Sequence, residues 1–242
     1  MIIMIDLYNV DFRTLSTYVN PGSVDLILTD PPYNIGNFMR RRGTCLGSMR
    51  SNFFVDAGWD NTDSVAWESM MCDFFKMSTQ ILRSGGSVLL FMAVVNVGKV
   101  ITLAERYGLY YKTTGIWHKT NPMPRNMKIQ FVNSTECWVY FTYGAKCGTF
   151  NGNGKLHHDF VECSVATRTE RRFGKHPTQK PEKLMEYFLN LLSNAGDCVV
   201  DPFMGSGTTG VVAERLDRNF ICCEIDKSYF EIAQSRIGGK ER

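Results

Sequence analysis

Apolar runs of strand length alternate with amphipathic stretches of helical period along most of the chain. The apolar runs predict strands, and they lie at 2–8, 24–28, 87–91, 109–117, 136–142, 197–200 and 220–223. The amphipathic stretches predict helices, and they lie at 12–19, 65–82, 95–107 and 182–193, with one more after each of the last two strands. Such alternation is typical of an α/β fold with a parallel sheet.

A distinctive polar turn, Asp30-Pro31-Pro32-Tyr33, follows the apolar run 24–28. Two consecutive prolines have no N–H to donate, so the chain must leave the sheet at Asp30. A carboxylate, a carbonyl and an aromatic ring are then held at the carboxyl end of a strand, where open α/β sheets bind ligands. Tyr33 can stack on a flat ring whose amino group donates to Asp30 and to the Pro31 carbonyl. An ordinary strand-ending turn is the alternative, since Asp and Pro are common in turns.

The composition, 44% hydrophobic and 21% charged, is normal for a soluble globular protein, and 242 residues fit one α/β domain. The net charge is only +3, so a nucleic-acid surface requires locally clustered charge. None of the eight cysteines forms a C-x-x-C pair, and we expect no metal site. Cys198, Cys222 and Cys223 lie in apolar runs and are expected to be reduced. With no signal peptide or membrane span, these features predict a cytoplasmic protein.

A second candidate ligand-binding turn follows the apolar run 197–200. Its sequence is Asp201-Pro202-Phe203-Met204-Gly205-Ser206-Gly207-Thr208. Its glycines allow the backbone to approach a ligand closely. The turn has neither the G-K-[S/T] of a phosphate loop nor the spacing of a dinucleotide fold. It suits a small zwitterion, with backbone N–H groups for a carboxylate and Asp201 for an ammonium. Glu224, at the end of the next strand, can accept two ribose hydroxyls.

One further stretch is a candidate for the same pocket. His176-Pro177-Thr178-Gln179-Lys180-Pro181 opens the helix 182–193, and Thr178 and Lys180 lie near its positive end. Asp11 follows the first strand, where its carboxylate can cap the helix 12–19.

Together these motifs resemble the β-class amino methyltransferases of DNA, which use S-adenosyl-L-methionine. That class has its catalytic motif first, as in Asp30-Pro31-Pro32-Tyr33, and its cofactor motif near the C-terminus, as in the turn that begins at Asp201. The resemblance covers roughly 9–36 and 85–237. It implies one catalytic domain over 1–242 and a Rossmann-like, seven-stranded, mostly parallel sheet with helices on both faces, in circularly permuted order.

The resemblance also implies residue roles. The target base would be held by Asp30, Pro31, Pro32 and Tyr33. The cofactor would be held by Asp11, Thr178, Lys180, Asp201, Phe203, Gly205, Ser206, Gly207, Thr208 and Glu224. Asp at the first motif position favours N6 of adenine as the acceptor; N4 of cytosine, an RNA substrate and a non-catalytic DNA-binding module are the alternatives. One departure is Val10, which stands where relatives often have Gly, so the fit at Asp11 is weaker.

The expected partner is double-stranded DNA, and a second copy of the chain and a restriction endonuclease acting on the same site are further candidates. Three irregular stretches carry clustered basic residues: 37–58, 118–126 and 144–175. We predict 144–175 as an inserted target-recognition segment, in which arginines read guanine or bind phosphate. The basic residues expected at the DNA are Arg40, Arg41, Arg42, Lys119, Arg125, Arg168, Arg171 and Arg172.

Overall fold

The computed structural model describes residues 3–35, 60, 63–122 and 131–238. Over these residues the strands are β1 (Ile5–Tyr8), β2 (Val24–Thr29), β3 (Leu82–Met92), β4 (Leu109–Lys119), β5 (Thr135–Tyr143), β6 (Phe160–Cys163), β7 (Cys198–Asp201) and β8 (Asn219–Cys223). The helices are α1 (Ser64–Ile81), α2 (Val97–Arg106), α3 (Glu182–Leu192), α4 (Thr208–Arg215) and α5 (Lys227–Arg236), with short 3₁₀-helices at Phe12–Thr17 and Val94–Asn96.

The described strands form one sheet in the order β1-β8-β7-β2-β3-β5-β4-β6. Strand β5 is antiparallel to its neighbours β3 and β4, and the other pairs are parallel. One edge of the sheet therefore carries the carboxyl ends of every described strand except β5, which contributes its first residues. We call this the catalytic edge, because the Asp30 turn, which the sequence predicts to be catalytic, leaves β2 there.

Helices cover both faces of the sheet, as the resemblance implies. On β2, Ile27 faces the core built with α1 and α2, whereas Leu26 and Leu28 face the core built with α3, α4 and α5. Strands buried on both faces are continuous apolar runs, which is why the sequence shows the central strands so clearly. The described helices include none that is long and apolar enough to cross a membrane.

Over the described residues the sheet has eight strands rather than the predicted seven. The additional strand is β6, which lies inside the stretch 144–175 that we expected to be irregular. Its residues alternate between exposed and buried, and among the described strands it pairs only with β4, at the end of the sheet. A short edge strand of this kind has no apolar run to mark it. Strand β3 also begins earlier than predicted, at Leu82 rather than at 87, and it includes Gly85 and Gly86.

Candidate active site

The turn that follows β2 is held by side chains from other parts of the chain. The Trp67 indole N–H on α1 donates to the Pro32 carbonyl at 2.8 Å, and the Asn96 amide donates to the Tyr33 carbonyl at 2.7 Å. Both donors are fixed by their own elements, since Trp67 is buried in the core and Asn96 ends the 3₁₀-helix after β3. These two hydrogen bonds fix the backbone that presents Asp30.

The exit of the same turn is held by Asp60. Its carboxylate accepts the backbone N–H of Asn34 at 2.5 Å and that of Ile35 at 3.3 Å. Asn34 has φ of 55°, a left-handed conformation that Asn tolerates better than most residues. Burial raises the pKa of Asp60, and the backbone N–H groups oppose that rise. The conformation of the turn is therefore held by hydrogen bonds from distant side chains as well as by its prolines.

The Asp30 carboxylate lies in a compact charged cluster. Its Oδ1 accepts the Tyr33 hydroxyl at 2.6 Å, and its Oδ2 pairs with the Lys180 ammonium. A second carboxylate, Glu136 of β5, lies 3.2 Å from the same ammonium and 3.1 Å from the same hydroxyl. Lys180 is only 5% exposed and lies 5.1 Å from the centre of the Phe91 ring. Because these side chains surround the predicted catalytic turn, we call Asp30, Tyr33, Lys180 and Glu136, with Lys119, the catalytic cluster.

The pKa values of the two carboxylates in the catalytic cluster are shifted in opposite directions. Burial raises the pKa of Asp30 against the opposing effect of Lys180, and the nearby Glu136 raises it further. Burial acts in the same direction on Glu136, but Lys180 and Lys119 outweigh it and lower the pKa of Glu136. Burial and the two carboxylates raise the pKa of Tyr33 well above its usual value, so its hydroxyl stays protonated.

Two lysines have partners that differ from those expected. Lys180 contacts the catalytic turn at Asp30, although we expected it in the cofactor pocket. Lys119, expected at the DNA, has its ammonium 2.6 Å from Glu136 and its side chain only 13% exposed. A phosphate contact by Lys119 would therefore require it to leave that ion pair.

The glycine turn after β7 lies beside the Asp30 turn, because β7 and β2 are neighbours in the sheet. Asp201 is buried and accepts hydrogen bonds from the hydroxyls of Thr29 at 2.6 Å and Thr209 at 2.7 Å, and from the Phe203 N–H at 3.2 Å. Burial raises the pKa of Asp201 to about 6, against the effect of these donors. Within the protein, Asp201 thus joins the glycine turn to the end of β2.

The buried Arg236 of α5 holds the other side of the glycine turn. Its guanidinium donates to the Ser206 carbonyl at 2.7 Å, to the Ser206 hydroxyl at 3.1 Å and to the Thr208 hydroxyl at 2.9 Å. It also lies 3.3 Å from Glu182 at the start of α3. The side chains of Ser206 and Thr208, expected at the cofactor, are therefore partly used to fix the turn.

Gly205 and Gly207 have positive φ values of 51° and 75°. A Cβ on Gly205 would lie 2.8 Å from Nε2 of His176, so the imidazole packs directly on the turn. Burial lowers the pKa of His176 to about 4, helped by Lys180 and Arg236, and the ring is neutral near pH 7. The same motif brings the Thr178 hydroxyl to 3.5 Å from His176 Nδ1.

An acidic residue follows each of the strands β8 and β1, and Glu224 after β8 contacts the glycine turn directly. Glu224 accepts the backbone N–H of Gly205 at 3.0 Å and that of Asp226 at 2.8 Å, and burial raises the pKa of Glu224. Asp11 accepts the Arg13 N–H at 2.8 Å and so caps the helix Phe12–Thr17, as its position in the sequence predicts. Phe203 packs 4.8 Å from the Phe12 ring, so the glycine turn and the β1 turn are in contact.

The structure describes only some of the residues that we expected at the DNA. Arg40, Arg41, Arg42 and Arg125 lie outside the described residues. Arg168 and Arg172 are exposed on the stretch that follows β6, and Arg172 lies over the Phe173 ring at 4.8 Å. Arg171 is half-buried beside them.

Several residues of the site were not predicted from the sequence. Glu136 is a single acid at the start of an apolar run, and such an acid could have been noted as a strand-end carboxylate. Arg236, Asp60 and Asn96 have no local signal, because their partners are far away in the sequence. Trp67 looked like an ordinary core position of an amphipathic helix.

Fold and site together define an α/β protein of the Rossmann-like methyltransferase class. A family model described as DNA methylase matches residues 24–235, and the chain belongs to this family. It is 33% identical to the type II methyltransferase M2.DpnII of Streptococcus pneumoniae, over 97% of this chain and 89% of that protein. It is also 33% identical to the type II methyltransferase M2.LlaDCHI of Lactococcus lactis subsp. cremoris, over 96% and 88%.

Two solved structures show the same fold. The M1.HpyAVI–SAM complex superposes with a TM-score of 0.72 at 25% identity, over 97% of this chain and 100% of that one. The PvuII DNA methyltransferase, named as cytosine-N4-specific, superposes with a TM-score of 0.77 at 19% identity, over 99% and 88%. The predicted α/β methyltransferase fold and the resemblance to DNA amino methyltransferases are thereby confirmed.

Proposed function

We propose that this DNA methylase transfers a methyl group from S-adenosyl-L-methionine to the N6 amino group of adenine in duplex DNA. The observation that carries the proposal is the junction of the two turns: the Thr29 hydroxyl, next to Asp30, donates to Asp201 of the glycine turn at 2.6 Å. A base held at Asp30 and a cofactor held at the glycine turn are therefore neighbours. Bringing both reactants into fixed contact is a large part of such catalysis.

The Asp30 turn offers the chemistry that an amino group on a heteroaromatic ring needs. The lone pair of such an amine is delocalised into the ring, which makes it a poor nucleophile. Acceptance of its two N–H groups by the Asp30 carboxylate and the Pro31 carbonyl turns the lone pair out of the ring. The carbonyls of Pro32 and Tyr33 are already used by Trp67 and Asn96.

The target base must leave the helix to reach this turn, because its amino group is inaccessible while stacked. The Tyr33 ring can replace part of the lost stacking, which is worth about 1–3 kcal/mol in comparable contacts. The amine attacks while it carries both protons, and it becomes cationic as the new N–C bond forms and the bond between the methyl carbon and sulfur breaks, which leaves a neutral thioether. Asp30 or a water molecule then accepts one proton, so Asp30 acts first as an orienting acceptor.

The residues around the glycine turn fit the cofactor by their chemistry. Carboxylates at the tips of β8 and β1 suit the ribose hydroxyls and the adenine amino group, and the positive φ values of Gly205 and Gly207 open the backbone to a ligand. The residues that would hold the cofactor are Asp11, Thr178, Phe203, Gly205, Ser206, Gly207, Thr208 and Glu224, with Asp201 and Lys180 fixing the turns. When bound, the cofactor supplies an electrophilic methyl group on a sulfonium.

Adenine is the proposed base because Asp stands first in the catalytic motif, where cytosine-N4 enzymes often have Ser. The PvuII enzyme named as cytosine-N4-specific is only 19% identical, and its likeness supports the fold rather than the base. Cytosine N4 therefore remains the second candidate.

For target recognition we propose a narrower segment than 144–175. Residues 144–159 precede β6 and lie toward the opposite edge of the sheet, where Asn151 donates to the Asn190 and Ser193 carbonyls at 3.1 and 2.9 Å. Residues 164–175 follow β6 at the catalytic edge and carry the exposed Arg168 and Arg172. The second stretch is thus the better candidate for contacting DNA beside the target base.

The biological setting proposed for the protein is a restriction–modification system in the cytoplasm. Its relatives named as type II methyltransferases support this setting. A cognate restriction endonuclease acting on the same site and a homodimer are the partners that the setting suggests.

The substitution Asp30→Ala tests the division of labour between the two turns. We expect methyl transfer from labelled cofactor to duplex DNA to be lost, while calorimetry still shows cofactor binding, because Asp30 lies outside the glycine turn. Glu105→Gln, an exposed carboxylate on α2, serves as the control and should transfer methyl groups at the normal rate. Full turnover by Asp30→Ala would refute the proposed role of this carboxylate.

A further inference from the structure

A second carboxylate, Glu136, reaches the catalytic edge because of the direction of β5. Strand β5 runs antiparallel to β3 and β4, with Cys137 opposite Met92 and Glu136 opposite Trp117. Its first residues therefore lie where the neighbouring strands end. The fold thus places an acid from β5 next to the acid that follows β2.

Glu136 connects most of the charged groups around Asp30. Its Oε1 lies 2.6 Å from the Lys119 ammonium, and its Oε2 lies 3.2 Å from the Lys180 ammonium. The same Oε2 is 3.1 Å from the Tyr33 hydroxyl, which is closer to Asp30. Its side chain is 20% exposed, so these contacts are partly shielded from water.

The contacts of Asp30 conflict with its proposed task. Tyr33 donates to one of its oxygens and Lys180 to the other, so neither oxygen is free of a partner within the protein. A carboxylate neutralised by an ammonium at hydrogen-bond distance is a weaker acceptor for a neutral amino group. The ammonium needs another anion if Asp30 is to turn toward the base, and Glu136 is within reach of it.

We infer that Glu136 is a positioning residue for methyl transfer, which takes up the Lys180 ammonium so that Asp30 can accept the amino group of the target base. Lys119 belongs to the same arrangement, because it balances the charge of Glu136 and holds its other oxygen. The inference rests on the proposed role of Asp30.

Removal of the Glu136 charge has a defined consequence. In Glu136→Gln the Lys180 ammonium loses its second anion and is held by Asp30 alone. The groups that face Asp30 are Lys180, Tyr33 and Glu136, with Asp60 and Asp201 interacting at longer range. Because Glu136 raises the pKa of Asp30, the substitution should lower that pKa.

The test is the single-turnover rate of methyl transfer to duplex DNA at saturating cofactor, measured against pH. For Glu136→Gln we expect the maximal rate to fall about tenfold to a hundredfold, the range that a small misplacement of reacting groups can cause. We expect the acidic limb of the pH profile to move to lower pH. The Kd for S-adenosylmethionine should stay within about twofold, and Glu136→Asp, which keeps the charge, should recover part of the rate.

The controls separate this inference from the proposed function. Asp30→Ala and Glu105→Gln are assayed in parallel, and thermal unfolding verifies that Glu136→Gln is folded. An unchanged rate in Glu136→Gln, or a lower rate with the acidic limb unmoved, would overturn the role of Glu136 while leaving that of Asp30 intact. Turnover by Asp30→Ala would instead overturn the proposed function on which the inference depends.

Discussion

Gly205→Ala should destabilise the protein through two separable effects. Gly205 has φ of 51°, and an L-residue pays about 1–2 kcal/mol for a left-handed conformation. The new Cβ would also lie 2.8 Å from Nε2 of His176, which is closer than real Cβ contacts allow. Forcing an extra carbon into a packed site costs about 1–3 kcal/mol. The free energy of unfolding should therefore fall by about 2–5 kcal/mol.

The two effects can be separated by repeating the substitution in a His176→Ala background. Without the imidazole, only the conformational cost of about 1–2 kcal/mol should remain. The difference between the two backgrounds, about 1–3 kcal/mol, is the coupling energy of a double-mutant cycle. Changes in the entropy of the unfolded chain are common to both backgrounds and cancel.

Urea denaturation of the wild-type, single and double variants, followed by circular dichroism, gives the required free energies. Gly22→Ala is a matched control, because Gly22 has φ of 67° and nothing within 4 Å of its added Cβ. It should show the conformational cost alone. Equal destabilisation by Gly205→Ala in both backgrounds would refute the packing of His176 on the glycine turn.

Two further predictions concern the same region. The folded-state pKa of His176, about 4, lies below the usual 6.5, so protonation favours the unfolded chain. Stability should fall by up to about 3 kcal/mol as the pH drops from about 6.5 to 4, and urea midpoints of His176→Gln should lack this component. Arg236→Met leaves the Ser206 and Thr208 oxygens without this donor, while Glu182 keeps its ion pair with Arg215 at 3.0 Å. The substitution should cost about 3 kcal/mol of stability, because buried acceptors lose their partner, and it should weaken cofactor binding in calorimetry. Arg236→Lys should be intermediate in both stability and cofactor affinity. Wild-type cofactor affinity in Arg236→Met would contradict the role of this guanidinium in holding the glycine turn.

The sequence predicts the central strands and both ligand-binding turns, because these depend on local patterns. Strand β2 is an apolar run that ends at two prolines, and β7 is one that ends at a glycine turn. The edge strand β6 escaped prediction because it is short and half-exposed. Its presence divides the predicted recognition segment into two parts at opposite edges of the sheet.

The catalytic cluster depends on the pairing of distant segments, which a local pattern does not encode. Lys180 reaches Asp30 across 150 positions of sequence, although its place at a helix start pointed to the cofactor. Glu136 comes to the same point only because β5 runs against its neighbours. Strand direction and order follow from the whole sheet, so the position of Glu136 beside Asp30 could not be predicted from the residues around Glu136, even though an acid at a strand end could be noted.

The proposed reaction is tested by methyl transfer from labelled S-adenosylmethionine to unmethylated duplex DNA, followed by digestion to nucleosides and chromatography. We expect the label in N6-methyladenine, and we expect none with Asp30→Ala. Label in N4-methylcytosine would contradict the assignment of the base. Unlabelled DNA in the presence of bound cofactor would contradict the proposed reaction itself.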